Sequence, residues 1–353
     1  MRPGLIRLLL LTVILGVLMG SGTAVGEQTP SCTITVQPGE SIQAAIDAAP
    51  VGAVICLKAG TYAESITVRK SLTLRGISEE KSRIEWKEWD SSVIHVESDG
   101  QIEVRLEELT VSEAAHETRG APRSPGGLVP ESRGIIREEE GLYFGLRFVR
   151  TNRAGISVSG SARIVLSHVS MAGHAVGVQV ESQAQAVIRE CTIATSDYGL
   201  VLFNSSRAEI ENCTLHGNTN DGVVVWEYAN VVIRNCTVTG SGQNGIWVGF
   251  DSRVTIEACV VGENGENGIV VACSAQLTLD GNVIKANAGY GVALYERPCF
   301  DKTTVFTGLV TGGGNTIPDP NEPDGNKLGA VCPETLRFLM TVEGGELDRR
   351  PAP

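Results

Sequence analysis

The sequence predicts an all-β solenoid of stacked parallel strands. Two observations predict it: glycines that recur every 22 or 23 residues, and apolar residues that alternate at fixed offsets from each of them. The glycines are Gly155, Gly177, Gly199, Gly222, Gly245, Gly268 and Gly291. Self-similarity at a fixed period of this length marks a repeat architecture.

With each glycine as offset 0, offsets 1 and 3 are apolar in every repeat, from Ile156 and Val158 to Val292 and Leu294. Offsets 9 and 11 repeat the alternation, as in Ala208/Ile210, Val231/Ile233 and Val254/Ile256, and offset 16 adds Met171, Ile193, Leu215, Val238, Val261 and Ile284. Period-two alternation rich in Val and Ile reads as short strands with one face inward. Each repeat thus holds two clear strands and a short third, with no room for a helix. Equivalent offsets in successive coils then stack about 4.8 Å apart as parallel sheets. A leucine-rich repeat is the rival of similar length. The stretch Val231-x-Ile233-x-x-Cys236-x-Val238 fits half of its motif, but the other half alternates like a strand and Leu is scarce.

Ahead of the repeats, Arg2 and Arg7 precede an apolar run over residues 8–19 and then the small residues Ala24-Val25-Gly26. Residues 1–26 read as an export signal peptide. The apolar run is short for a transmembrane span and no second one follows, so no membrane span is expected after cleavage. The expected location is secreted, periplasmic or cell surface. Residues 27–311 form the solenoid domain, with a polar Gly/Pro-rich loop insertion at 112–133. Residues 312–353 form a C-terminal loop, a cap and a flexible tail. The 353 residues are 42% hydrophobic, which excludes a disordered chain. Lys and Arg total 29 against 41 Asp and Glu, a net charge of −12, which argues against nucleic acid as a partner.

The opening of the domain carries a resemblance. Pro38-Gly39-Glu40-Ser41-Ile42-Gln43-Ala44-Ala45-Ile46, then Gly60-Thr61-Tyr62, then Leu72-Thr73-Leu74-Arg75-Gly76, are similar to the start of many proteins of the pectin-lyase-like superfamily. The repeats between Gly155 and Leu294, with a turn Asn at Asn282, resemble its generic coil. The resemblance implies a right-handed, single-stranded parallel β-helix whose N-terminal end is closed by a short capping helix. Ser41 to Ala48 suits that role, with Ile42, Ala45 and Ile46 on one face. The superfamily holds lyases, hydrolases, esterases, epimerases and non-enzymes, so the resemblance leaves activity open.

Nine cysteines are an odd number, so one thiol at least is unpaired within the chain. Cys32 and Cys56 flank the capping helix on strands expected side by side, and a disulfide is predicted there. One pair among Cys273, Cys299 and Cys332 is also expected, with Cys299–Cys332 preferred because it ties the cap across the long loop. Cys191, Cys213, Cys236 and Cys259 share offset 14 and are expected to stack as buried, reduced thiols rather than to converge on a metal. Offset 12 reads Arg189, Glu211, Arg234, Glu257, Asp280, which predicts exposed ion pairs between coils.

Function is sought on the outer face of the first sheet. Offsets 2 and 4 point outward, yet they carry Phe203, Trp226, Trp247 and Tyr295, with Tyr228 and Phe250 just beyond. An exposed aromatic patch marks a binding surface. Offset 8 adds Arg207 and Arg253 on alternate coils, suited to an anionic sugar chain. The leading expectation is a carbohydrate-binding protein whose partner is a polysaccharide or cell-envelope glycan. A polysaccharide lyase or glycoside hydrolase is the alternative. Its candidate catalytic residues are Glu227, Asp251 and Arg253, because paired carboxylates can cut glycosides. A periplasmic scaffold or maturation role is the third. No cofactor is expected for a binding protein, whereas a lyase of this superfamily would call for calcium. No metal-ligating cluster is read from the sequence, and the five histidines fall at unrelated offsets.

Overall fold

The computed structural model describes residues 31–86, 91–112 and 153–341. The expected signal segment and most of the 112–133 insertion lie outside these residues. So does the tail beyond 341. Ser112 itself closes the strand Glu103–Ser112.

The repeats fold as the alternation dictates. Strands at offsets 1 to 3, such as Val223–Val225, Ile246–Val248 and Ile269–Val271, stack in parallel into a ten-stranded sheet. Strands at offsets 8 to 12, such as Arg207–Glu211, Asn230–Arg234 and Arg253–Glu257, stack in the same way. The short third strands, Thr214–His216, Thr237–Thr239 and Val260–Gly262, form a further parallel row. Leu200, Val223, Ile246 and Ile269 pair in succession. The register therefore places each offset directly above its equivalent.

Inward positions fill one continuous core in which Ile156, Ile164, Ile233, Ile256 and Val261 are fully buried. The helix Ile42–Ala48 closes the N-terminal end by burying Ile42 and Ile46. Ser41 caps it, accepting from the Ala44 N–H at 3.0 Å. Glu64 accepts from the Ile42 and Gln43 N–H groups at 2.7 and 3.2 Å, so two of the helix's unbonded donors are satisfied. At the other end the sheet continues past the expected limit at 311. Gly329–Cys332 pairs with Tyr290–Leu294, and a 3₁₀ turn over Glu334–Leu339 buries Leu336 and Leu339.

Buried amides staple the turns. Asn282 Oδ1 accepts from the Cys259 N–H at 2.9 Å, and Asn315 Oδ1 does the same for Asn282. The cysteines below continue this ladder with sulfur: Cys236 and Cys259 accept from the N–H of Cys213 and Cys236 at 3.4 Å. All four ladder thiols are free and buried. Both predicted disulfides are present, Cys32–Cys56 and Cys299–Cys332.

Candidate functional site

The corners after three successive first-sheet strands set the site. Here the chain leaves the sheet through two consecutive residues in left-handed conformation: Asn204/Ser205 (φ 54° and 66°), Glu227/Tyr228 (48° and 65°), Phe250/Asp251 (34° and 47°). This doubled turn swings the second residue of each pair out of the coil. The offset-8 side chain follows two positions later on the same flank. Four successive coils so build one groove of about 370 Å³, from Ser205 and Arg207, Tyr228 and Asn230, Asp251 and Arg253, and Gln276.

Four sequence candidates meet in this groove: Arg207, Tyr228, Asp251 and Arg253. Tyr228 is 64% exposed, the most open aromatic among the described residues. Arg253 Nε donates to Gln276 Oε1 at 3.0 Å. The Asp251 N–H donates to Ser274 Oγ at 3.1 Å, which steadies the corner and leaves the carboxylate to the groove. Other outward arginines are neutralised: Arg163 by Glu103 at 3.1 Å, Arg189 by Glu211 at 3.4 Å and Arg234 by Glu257 at 2.5 Å. Among the described residues Arg207 and Arg253 have no carboxylate within ion-pair distance.

The aromatic platform requires correction. Phe203, Trp226, Trp247 and Tyr295 are each less than a tenth exposed and form a second apolar cluster outside the sheet. The rings pack on one another and on later segments. Trp226 meets Phe250 edge-on at 4.4 Å, Trp247 meets Tyr295 at 4.9 Å, and Tyr295 meets Phe300 at 4.8 Å. Phe300 adjoins Cys299, whose bond to Cys332 ties this segment to the last strand. Phe250 is half-buried against the same cluster. Offset alone points these side chains outward, but tertiary cover then removes them from water. Of the six aromatic candidates only Tyr228 lines the groove.

The carboxylate pair separates likewise: Asp251 lines the groove and Glu227 does not. Among the described residues no three His, Cys, Asp or Glu side chains gather as a metal site. Sequence reading missed Asp221. It is buried, and its carboxylate accepts from the Asn244 N–H and Nδ2 at 2.9 and 3.0 Å. Burial pushes its pKa up to about 6. The signal was present, because Asp221, Asn244 and Asn267 stand one position before successive glycines.

Comparison with known proteins agrees with the coil geometry. Residues 154–305 match the family described as the right handed beta helix region. The chain has a right-handed parallel β-helix fold. An alginate lyase from Paenibacillus sp. str. FPU-7 superposes on this β-helix with a TM-score of 0.52 at 15% identity, covering 85% of this chain and 99% of that one. ORF18 of Geobacillus virus E2 does so at 0.50 and 13%, covering 80% and 61%. The A-module of the Azotobacter vinelandii mannuronan C-5 epimerase AlgE6 gives 0.46 and 17%, covering 81% and 86%. At these identities the likeness establishes the fold of the β-helix alone. Among curated proteins none matches its sequence. Among the described residues no helix of the β-helix protein is long and apolar enough to cross a membrane.

Proposed function

We propose that the protein binds an acidic polysaccharide lengthwise in the groove at the doubled-turn corner. One observation carries this reading: Arg207 and Arg253 stand in register two coils apart in the groove, without the carboxylates that meet Arg163, Arg189 and Arg234 on neighbouring positions. A guanidinium left unpaired beside a concave surface is a ready partner for carboxylate or sulfate. Tyr228 offers an exposed ring face to the apolar C–H surface of a sugar. Two coil spacings are about 10 Å, a length comparable to two units of an extended sugar chain. The two disulfides suit an oxidising compartment, where a cell-envelope or extracellular glycan is met. Among the described residues Asp251 lines the groove without Glu227, which favours binding over hydrolysis by that carboxylate pair.

A glycan array probed with the full chain tests the proposal. Acidic glycans are expected to bind and neutral ones not, and Arg207→Gln with Arg253→Gln is expected to abolish the signal. Retention of the same glycans by the double variant would overturn it.

A further inference from the structure

The outward row that crosses the groove alternates in chemistry. Arg163, Gln185, Arg207, Asn230, Arg253 and Gln276 pair in succession, a cation and a neutral amide by turns over six coils. Four residues further along the same strands, a second row pairs Arg189 with Glu211 and Arg234 with Glu257. Both rows keep arginines from facing each other at about 4.8 Å, where like charges repel. The second row does this with carboxylates and cancels its own charge. The first does it with amides from Gln185 to Gln276 and leaves Arg207 and Arg253 charged, while Arg163 at its near end is met by Glu103. Relief of repulsion therefore explains the alternation but not the choice of amide, in a chain that carries 41 acidic residues.

Along the groove the order is cation, then ring and amide, then cation. The middle coil presents Tyr228 and Asn230, flanked by Arg207 on one side and Arg253 with Asp251 on the other. Gln276 accepts from Arg253 and so holds the guanidinium without neutralising it. An anionic group lying over the middle coil meets no cation on that coil and faces the Asp251 carboxylate one coil away. A neutral sugar there has an aromatic face for its C–H surface and an amide for a hydroxyl or acetamido group.

Resting on the binding reading above, we infer that the ligand is an alternating copolymer, one anionic sugar followed by one neutral sugar, with charges recurring at two coil spacings. Calorimetric titration of the full chain tests this with three hexasaccharides: one of hyaluronan (alternating uronate and N-acetylhexosamine), one of galacturonate alone, and neutral chitohexaose. The alternating ligand is expected to bind at least tenfold more tightly than the galacturonate one, and chitohexaose not to bind measurably. Asn230→Arg, with Asn230→Lys as a second variant, places a cation on three consecutive coils and is expected to bring galacturonate binding level with or above the alternating ligand. Both variants are expected to stay folded, because residue 230 is exposed, and to melt only slightly below the parent, because the new cation faces Arg207 and Arg253. Galacturonate binding as tight as the alternating ligand in the parent, or a preference unmoved by both variants, overturns the inference while leaving acidic-glycan binding intact. Failure of both anionic hexasaccharides to bind would remove the binding reading itself.

Discussion

Trp226 lies across Gly249 on the neighbouring coil so closely that a Cβ there would stand 2.1 Å from the indole ring. The indole occupies space that any larger residue would need. Trp226→Ala is therefore expected to cost about 3–5 kcal/mol, the range for truncating a buried large aromatic. Gly249→Ala is expected to destabilise as well, by overpacking. Urea denaturation checks both. Tyr228→Ala, one corner away but exposed, is expected to leave the urea midpoint unchanged and to weaken glycan binding.

The arginines separate in the opposite sense. Arg207→Gln and Arg253→Gln are each expected to lower affinity for an acidic glycan on the order of tenfold, since each removes a charge-assisted contact. Arg189→Gln, whose partner Glu211 already satisfies it, is expected to change affinity little. Calorimetry at two salt concentrations would show the contrast, with a shallower salt dependence in the first two variants.

Asp221 makes stability depend on pH. Its carboxyl titrates near 6 in the folded protein, above the ordinary range of a free aspartate. A carboxyl raised by folding disfavours the folded state once pH exceeds the unfolded value, and the penalty levels off above the folded one. Asp221→Asn keeps an oxygen for Asn244 and removes the buried charge. The variant is expected to melt higher than the parent at pH 7.5, by up to about 3 kcal/mol of stability. The gain shrinks between pH 6 and pH 4 and disappears below. Melting curves across that range decide it, and a pH-independent difference would contradict the assignment.

Thiol chemistry gives a direct count. Five cysteines are free, and four of them are buried in the ladder. Ellman's reagent is expected to titrate at most Cys273 in the native protein and five thiols after denaturation without reductant. Cys299→Ser with Cys332→Ser is expected to cost about 2–4 kcal/mol, the usual contribution of a disulfide. It is also expected to expose Trp247 and Tyr295 to quenchers, because the bond holds Phe300 near them.

The coil was legible because its signals repeat. Ile233 and Arg234 could be assigned inward and outward from one alternation checked six times over, and the structure buries the first and exposes the second. Glu211 and Glu257 pair with their predicted arginines because in-register stacking turns a sequence offset into a distance. The groove was half legible. Arg207, Arg253, Tyr228 and Asp251 were singled out as residues, but their convergence needs the doubled left-handed corner, which no single residue type encodes. Trp226 and Trp247 were misplaced because an offset reports which side of a strand a side chain leaves. It does not report what later segments lay over that side.

The pitch of this molecule is written in backbone hydrogen bonds, so no side-chain substitution can retune it. A bound polymer brings its own pitch, and two scales with unequal divisions coincide only over a short stretch, like the lines of a vernier. A groove of four coils is short enough for every division to stay aligned. Adding whole coils by duplication would lengthen the scale but carry each new line further from its mark. Gains in affinity must then come from changing what an existing coil displays, which confines adaptation of this surface to a few positions such as 207, 230 and 253.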